Sequence, residues 1–416
     1  MAIHHLSLSN FRNYARLELD LPPAGPVVFF GRNAQGKTSL LEALFYLITA
    51  QSPYTHHDRQ LIHWRMEGEA MPYARAAVEF DHETRGRQRL EVTLLLEATA
   101  DGRQRLRRQL KLNGVEKRII DIVGLLQVVL FLPQDMALVE GPPQERRRFL
   151  DTTLAQVDAT YLAARNDFER LLPQRNALLR QLAETGGNVS QLAYWDEQIA
   201  RAGSVLVMAR QRLLRELERD AARIHAELSG GEEVLQLRYL PSFAPNQETP
   251  PAETLALPGL DLQSELAEEE VVADYLSCLE AERAASIQRG VTLSGPHRDE
   301  LRLLINGRDC GDYGSRGQVR SSVLALKLAE LSWIQEQSGQ LPLLLLDEVV
   351  AELDERRRSF LLEKLTATQN TQEQAPLQAL MTTADLSVLD EAFLHQAQIW
   401  EVCNGMVERV ASTPAQ

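Results

Sequence analysis

Gly31-Arg32-Asn33-Ala34-Gln35-Gly36-Lys37-Thr38, continued by Ser39, is the stretch on which the fold turns. It fits G-x-x-x-x-G-K-[ST], the loop that wraps the phosphates of a nucleotide. Glycines let the backbone curl so that successive N–H groups converge on one anion. The helix that follows adds its positive N-terminal end. Lys37 is placed to reach the β- and γ-phosphates, and the Thr38 hydroxyl to ligate Mg²⁺. A chain of this length matches the pattern by chance about 0.01 times at average residue frequencies. A glycine turn before an ordinary helix is the plain alternative. The flanks speak against it: Val27 to Phe30 is an apolar run suited to a buried strand, and Leu40, Leu41, Leu44, Phe45 and Ile48 recur at helical spacing.

A second apolar run, Leu343-Leu344-Leu345-Leu346, ends in Asp347-Glu348. A strand so built delivers Asp347 to its C-terminal edge, where it can hold Mg²⁺, and sets Glu348 beside it to polarise an attacking water. The Asp-Glu pair looks like the ABC-type ATPases. That class carries a serine-bearing signature at a helix start, which reaches the γ-phosphate of another subunit. Here Tyr313-Gly314-Ser315-Arg316-Gly317-Gln318 precedes a helical stretch from Val319, with Arg316 where the usual signature has a glycine. Ala351-Glu352-Leu353-Asp354 resembles the loop that crosses the dimer in the same class. The plain alternatives are helix caps at Ser315 and at Asp354.

Outward from these motifs, alternation predicts strands at His4–Leu8, Ala15–Leu21, Ala74–Phe80 and Leu90–Glu97, and strands are expected at Arg107–Leu112 and Leu301–Ile305, before the turns Asn113-Gly114 and Asn306-Gly307. Further strands are expected at Gln378–Met381 and Ile399–Val402. From Glu145 to Leu228 the pattern is helical. Leu192, Trp195, Ile199, Ala202, Leu206, Ala209 and Leu213 form a seam of alternating threes and fours. Thr185-Gly186-Gly187-Asn188 breaks the segment into a hairpin expected to stand off the core, with Pro173 kinking or ending part of its first arm. Ser242 to Pro258 and Thr366 to Pro376 read as loops.

The net charge of −14 alone argues against nucleic acid, but its distribution does not. Ser229 to Glu282 holds twelve acidic residues and one arginine, whereas Arg85 to Arg118 holds ten basic residues against four acidic ones. The basic stretch, with Arg146 to Arg148, is the expected DNA contact, through backbone phosphates; a solvated strand face is the plain alternative. No apolar run approaches a membrane span, and the N-terminus has no secretory pattern. Cys278, Cys310 and Cys403 match no metal spacing and read as reduced thiols of a cytoplasmic protein.

Leu8 to Tyr14, the phosphate loop, Phe131-Leu132-Pro133-Gln134-Asp135, Arg146 to Asp151, Ser294-Gly295-Pro296-His297-Arg298-Asp299 and the signature through Asp354 together resemble the bacterial RecF family, SMC-like ABC-type ATPases of DNA replication and repair. The likeness spans residues 3 to about 383. It implies an α/β P-loop ABC-type ATPase head with an inserted helical lobe. The expected parts are a head segment at 1–140, the helical lobe at 141–290 and a second head segment at 291–416. It also implies ATP and Mg²⁺ as cofactors, an ATP-dependent homodimer on single- or double-stranded DNA, and weak DNA-stimulated hydrolysis acting as a switch. RecO and RecR are its implied partners in recombinase loading. By position, Gln134 takes the place of the residue sensing Mg²⁺ and γ-phosphate. Gly31 to Ser39, Ser315, Gly317 and Asp354 take nucleotide contacts, Thr38 and Asp347 the metal, and Glu348 catalysis. Thr382-Thr383 stands where transport ATPases have a switch histidine.

A structural SMC ATPase is the main competing reading. Lys37 and Asp347 are only 310 residues apart, and at ~1.5 Å per residue a hairpin from Glu145 to Leu228 extends about 60 Å, an arm rather than a long tether. A transport ATPase would have its motifs closer together, and a small-molecule kinase would not explain Ser315 and Asp354.

Overall fold

The computed structural model describes residues 2–98, 104–243, 267–367 and 377–410. Most of the expected loops from Ser242 to Pro258 and from Thr366 to Pro376 lie outside them. The strands in chain order are β1 (Ala2–Phe11), β2 (Tyr14–Asp20), β3 (Gly25–Phe30), β4 (Tyr73–His82), β5 (Gly86–Ala98), β6 (Gln104–Leu112), β7 (Val115–Lys117) and β8 (Val128–Phe131). They continue with β9 (Leu235–Leu240), β10 (Glu300–Ile305), β11 (Arg308–Asp309), β12 (Leu343–Asp347), β13 (Gln378–Thr383), β14 (Gln398–Cys403) and β15 (Met406–Arg409). Two compact units emerge: Met1–Asp135 with Leu331–Gln416, and Met136–Glu330.

The first unit has two sheets. One is antiparallel, in the order β2-β1-β4-β5-β6-β7; the other runs β15-β14-β3-β13-β12-β8, parallel except for β15. The central parallel strands carry apolar runs: Val27, Val28 and Phe29 of β3 and Leu344, Leu345 and Leu346 of β12 are fully buried, as strands covered on both faces require. The antiparallel sheet alternates, with Leu6, Leu8, Val78, Phe80, Leu90 and Val92 in the core and charged residues outward. Helix Lys37–Thr49 touches strands of both sheets and is buried along most of its length. Its Leu40, Leu41, Leu44 and Leu47 join the two sheets in one apolar cluster.

In the second unit, helices Ala159–Thr185 and Leu192–Ser229 form the expected hairpin, turning at Gly186 (φ 68°) and Gly187 (φ 132°). Pro173 lies inside the first helix without ending it. Nor is the hairpin a free arm, because its second helix is buried on more than the predicted seam. Beside Leu192, Ile199, Leu206 and Leu213, residues Ala200, Gly203, Val207 and Leu214 are buried too, and helix Glu268–Ala281 and β9 pack on it. Gly203 permits that approach: a Cβ there would lie 2.6 Å from the Tyr275 ring. Residues 291–330, expected with the C-terminal head segment, belong to this unit instead. The reason is β10, which pairs with β9 from Glu300 opposite Leu240 to Ile305 opposite Leu235.

The Ser294–Asp299 motif is part of this unit's polar core. Asp299 accepts from Tyr239 Oη at 2.5 Å, Ser242 N at 2.9 Å and Arg210 Nη1 at 3.3 Å. Arg210 also donates to Asp151 at 2.7 Å and to the Pro296 carbonyl at 2.7 Å. Burial pushes the Asp299 carboxyl up from its usual range, while Arg210 acts in the opposite sense.

Candidate nucleotide-binding site

The phosphate loop joins β3 to helix Lys37–Thr49 in a conformation only certain residues allow. Gly31 and Gly36 take φ of 152° and 115°. A Cβ on Gly31 would meet the Val402 carbonyl oxygen at 2.3 Å, and one on Gly36 the Asn13 amide at 2.5 Å. Two hairpins brace the loop from outside. Asn13 Nδ2 donates to the Gln35 carbonyl at 3.1 Å, and Tyr14 Oη to the Gly36 carbonyl at 3.0 Å. Asn404 N donates to Gln35 Oε1 at 2.8 Å, and Gly405 N to the Gln35 carbonyl at 3.2 Å.

Lys37 is 3% exposed, and its ammonium is fully engaged. It donates to the Gly31 carbonyl at 2.7 Å and the Arg32 carbonyl at 3.2 Å, and lies 3.1 Å from Glu348 Oε1. Thr38 Oγ1 donates to Asp347 Oδ1 at 3.0 Å across 309 residues of sequence. The same oxygen accepts from Thr382 Oγ1 at 2.6 Å, and Oδ2 accepts from Tyr54 Oη at 2.5 Å. Burial first, and then the Asp347 carboxylate, hold the Tyr54 phenol far above its ordinary value, so it remains a donor. Glu348 adopts left-handed backbone (φ 55°), and its N–H donates to Thr382 Oγ1 at 2.9 Å.

These groups line a cleft of about 630 Å³ built wholly from the first unit. Of the residues read from sequence, Asn33, Ala34, Gly36, Lys37, Thr38, Ser39, Gln134, Asp347 and Glu348 line it. Gly31, Arg32 and Gln35 shape the loop through backbone and bracing contacts. Ser315 and Gly317 lie in the second unit. There Ser315 is exposed and caps helix Arg316–Ser338: its Oγ accepts from Gln318 N at 3.2 Å, and its own N–H donates to Gln318 Oε1 at 2.8 Å. Asp354 is exposed and caps helix Glu355–Ala367, accepting from Arg357 N at 3.1 Å.

The sequence reading gave no role to Arg12, Asn13, Tyr54, Gln60, Ile62 or Trp64, which complete the cleft. Arg12 donates to both oxygens of buried Glu42 at 2.7 Å. Trp64 is 60% exposed and stacks on His63 with centroids 4.1 Å apart. An aromatic left in the open beside a phosphate loop is a signal, but it takes coordinates to see it.

The basic stretch looks different in three dimensions. Its strands set acids against it: Arg89 pairs with Glu79 at 2.8 Å, Arg87 with Asp81 at 3.1 Å and Arg107 with Glu97 at 3.6 Å. Arg108 meets Asp58, and Arg118 meets Asp121 at 2.9 Å. Among the described residues Arg85, Arg105, Lys111 and Lys117 make no ion pair. Arg146 is corrected outright as a DNA contact: it is 3% exposed and donates to both Glu300 oxygens at 2.6 and 2.7 Å. Arg147 donates to the Asp299 carbonyl at 2.7 Å. Cys278, Cys310 and Cys403 are unpaired thiols, and among the described residues no helix is long and apolar enough to cross a membrane.

Parallel sheet, glycine-bound loop and strand-end carboxylates together define an ABC-type P-loop ATPase head. A family profile described as RecF/RecN/SMC N terminal domain matches residues 2–404. The DNA replication and repair protein RecF of Chloroflexus aurantiacus is 41% identical, covering 98% of this chain and 99% of that one. RecF of Chloroflexus aggregans is 40% identical over the same shares. A solved structure of the recombination mediator protein RecF with ATP, in the RecFOR pathway, superposes with a TM-score of 0.80 at 27% identity, covering 99% of this chain and 98% of that one. The chain belongs to the RecF family of DNA replication and repair proteins.

Proposed function

We propose that this chain is an ATP-driven, DNA-binding switch of recombinational repair and replication restart. One observation carries the reading: Thr38 and Asp347 meet at 3.0 Å while Lys37 and Glu348 meet at 3.1 Å, with the phosphate loop curled around them. Lys37 exchanges its loop carbonyls and Glu348 for phosphate oxygens. The Thr38 hydroxyl and Asp347 carboxylate are hard oxygen donors that fit Mg²⁺, which keeps most of its shell as phosphate and water; Mg²⁺ would neutralise the triphosphate. Gln134 faces the γ-phosphate end. Once free of Lys37, Glu348 is the base that orients the attacking water. Ile62 and Trp64 offer an apolar wall for the base.

The likeness of Tyr313 to Gln318 to the signature of ABC-type ATPases supports use of Ser315 and Gly317 in trans. In a homodimer, Ser315 and the first N–H groups of helix Arg316–Ser338 of the second copy close on the γ-phosphate, and Asp354 crosses at the seam. ATP then supplies differential affinity between open and closed states, DNA is held in the closed state, and weak hydrolysis releases it. Arg85, Arg105, Lys111 and Lys117 are the candidate phosphate contacts on DNA. RecO and RecR are the partners the relative's pathway suggests, for loading recombinase at gaps.

Light scattering tests this on wild type and Glu348→Gln, with and without ATP and duplex DNA. A dimer that forms only with ATP, and persists in Glu348→Gln, is expected. A monomer under all conditions sinks the trans role of Ser315, and DNA retention indifferent to ATP sinks the switch.

A further inference from the structure

We infer that Tyr54 is a positioning residue for the metal-binding carboxylate, holding Asp347 Oδ2 so that Asp347 presents a fixed face to the cation. This rests on the reading of the cleft as a Mg–ATP site. A carboxylate at a strand end has two side-chain torsions and swings if only one oxygen is held. Asp347 Oδ1 already accepts two hydroxyls, from Thr38 at 3.0 Å and Thr382 at 2.6 Å. Tyr54 supplies the hold on the other oxygen at 2.5 Å.

What holds Tyr54 matters as much. It lies on the connection between helix Lys37–Thr49 and the short turn Asp58–Leu61. Ser52 Oγ accepts from the backbone N–H of Tyr54 and of Thr55, each at 3.1 Å, and donates to Glu42 Oε1 at 2.5 Å. Glu42 is 2% exposed and is clamped by Arg12, a cleft residue. A hydrogen-bonded chain thus runs Arg12–Glu42–Ser52–Tyr54–Asp347, from the cleft wall to the metal carboxylate, with Glu42 and Ser52 buried. Such supporting groups fix a ligand's orientation, and their loss typically weakens a metal about 10–100-fold.

The test is binding of a fluorescent ATP analogue in EDTA and across a Mg²⁺ titration, for wild type, Tyr54→Phe and Ser52→Ala. Tyr54→Phe keeps the ring and removes the hydroxyl. Its affinity in EDTA should stay within about twofold of wild type, while the Mg²⁺ needed for half-maximal tightening rises about tenfold, the low end because Thr38 and Thr382 remain. Ser52→Ala frees the loop without touching Asp347 and should move the same way by less; it carries the test should Tyr54→Phe fail to fold. An unchanged or lowered Mg²⁺ requirement overturns the inference, as does an equal loss with and without Mg²⁺, which would make Tyr54 a packing residue. Wild type that ignores the analogue, or binds it without regard to Mg²⁺, overturns the nucleotide-site reading itself and Tyr54 with it.

Discussion

Replacing Arg175 by Met measures how far the second unit depends on buried charge. Arg175 is fully buried; its Nε donates to Asp196 Oδ1 at 2.8 Å and its Nη1 to Thr292 Oγ1 at 2.8 Å. Methionine replaces much of the apolar stem, so the loss is mainly electrostatic. Removing one member of a buried pair costs about 3–5 kcal/mol. Two neighbours put this case at the lower end. Asp196 Oδ2 keeps the Arg283 guanidinium at 2.9 Å, and Thr292 keeps Asn176 at 2.7 Å. A cost of about 3 kcal/mol should lower the midpoint of this unit, some 200 residues, by roughly 6–12 °C. Adding Asp196→Leu removes the stranded carboxylate, and Arg283, a quarter exposed, turns to solvent. The double variant should therefore be at least about 2 kcal/mol more stable than the sum of the two single changes. Scanning calorimetry, with urea unfolding followed by circular dichroism, reads both, and the transition of the second unit is the one that moves. A single-variant cost below about 1 kcal/mol, or strict additivity in the double, refutes the reasoning.

Gly31→Ala sets a methyl 2.3 Å from the Val402 carbonyl at φ 152°, so it should cut ATP-analogue affinity by roughly tenfold or more through loop distortion, read by fluorescence titration. Burial first, then Arg298, holds the His297 imidazole down at about 4 from an ordinary 6.5. The unfolded chain thus binds a proton that the fold excludes. Stability from His297 is complete above pH 6.5 and falls as the pH drops toward 4, with a slope of at most about 1.4 kcal/mol per pH unit; His297→Gln should flatten the midpoint-versus-pH curve over that window. Lys111→Glu with Lys117→Glu should weaken duplex binding and reduce the salt slope by about 2 in an anisotropy assay. Arg146→Gln should lower thermal stability and leave the slope unchanged.

Where sequence encodes structure locally, it was readable. The apolar runs Val27–Phe30 and Leu343–Leu346 announce buried parallel strands because no other element needs four consecutive apolar residues bounded by polar turns. The phosphate loop announces itself because its glycines answer to backbone geometry, and here those φ values are 152° and 115°. Pairing partners were not readable. Strand β8 hid inside the apolar stretch from Ile119 to Leu132, since neither alternation nor length marks it. The acids neutralising Arg87 and Arg89, Asp81 and Glu79, become neighbours only through strand register, so a count along the chain overstated the basic face. Tyr54 was invisible for a related reason: an irregular connection carries no period, and its hydroxyl is aimed at Asp347 by hydrogen bonds at Ser52 that are rooted at Glu42 on helix Lys37–Thr49.

Strand order explains why this site needs three segments rather than two. The phosphate-loop strand β3 and the Asp347 strand β12 are not neighbours, because β13 lies between them. Register sets Thr382 beside Asp347 and Thr383 beside Phe30, so the last residues of β13 fall in the gap between loop and carboxylate. Thr382 fills that gap with one hydroxyl in two roles, donating to Asp347 Oδ1 at 2.6 Å and accepting from Glu348 N at 2.9 Å. Thr382→Val keeps shape and burial but removes both bonds. If Thr382 ties the two acids into one unit, that variant should loosen Asp347 and Glu348 together, weakening the Mg²⁺-dependent part of nucleotide binding and slowing turnover in the same protein. A loss confined to one of these readouts would mean that the two carboxylates are positioned independently, and that β13 contributes only its place in the sheet.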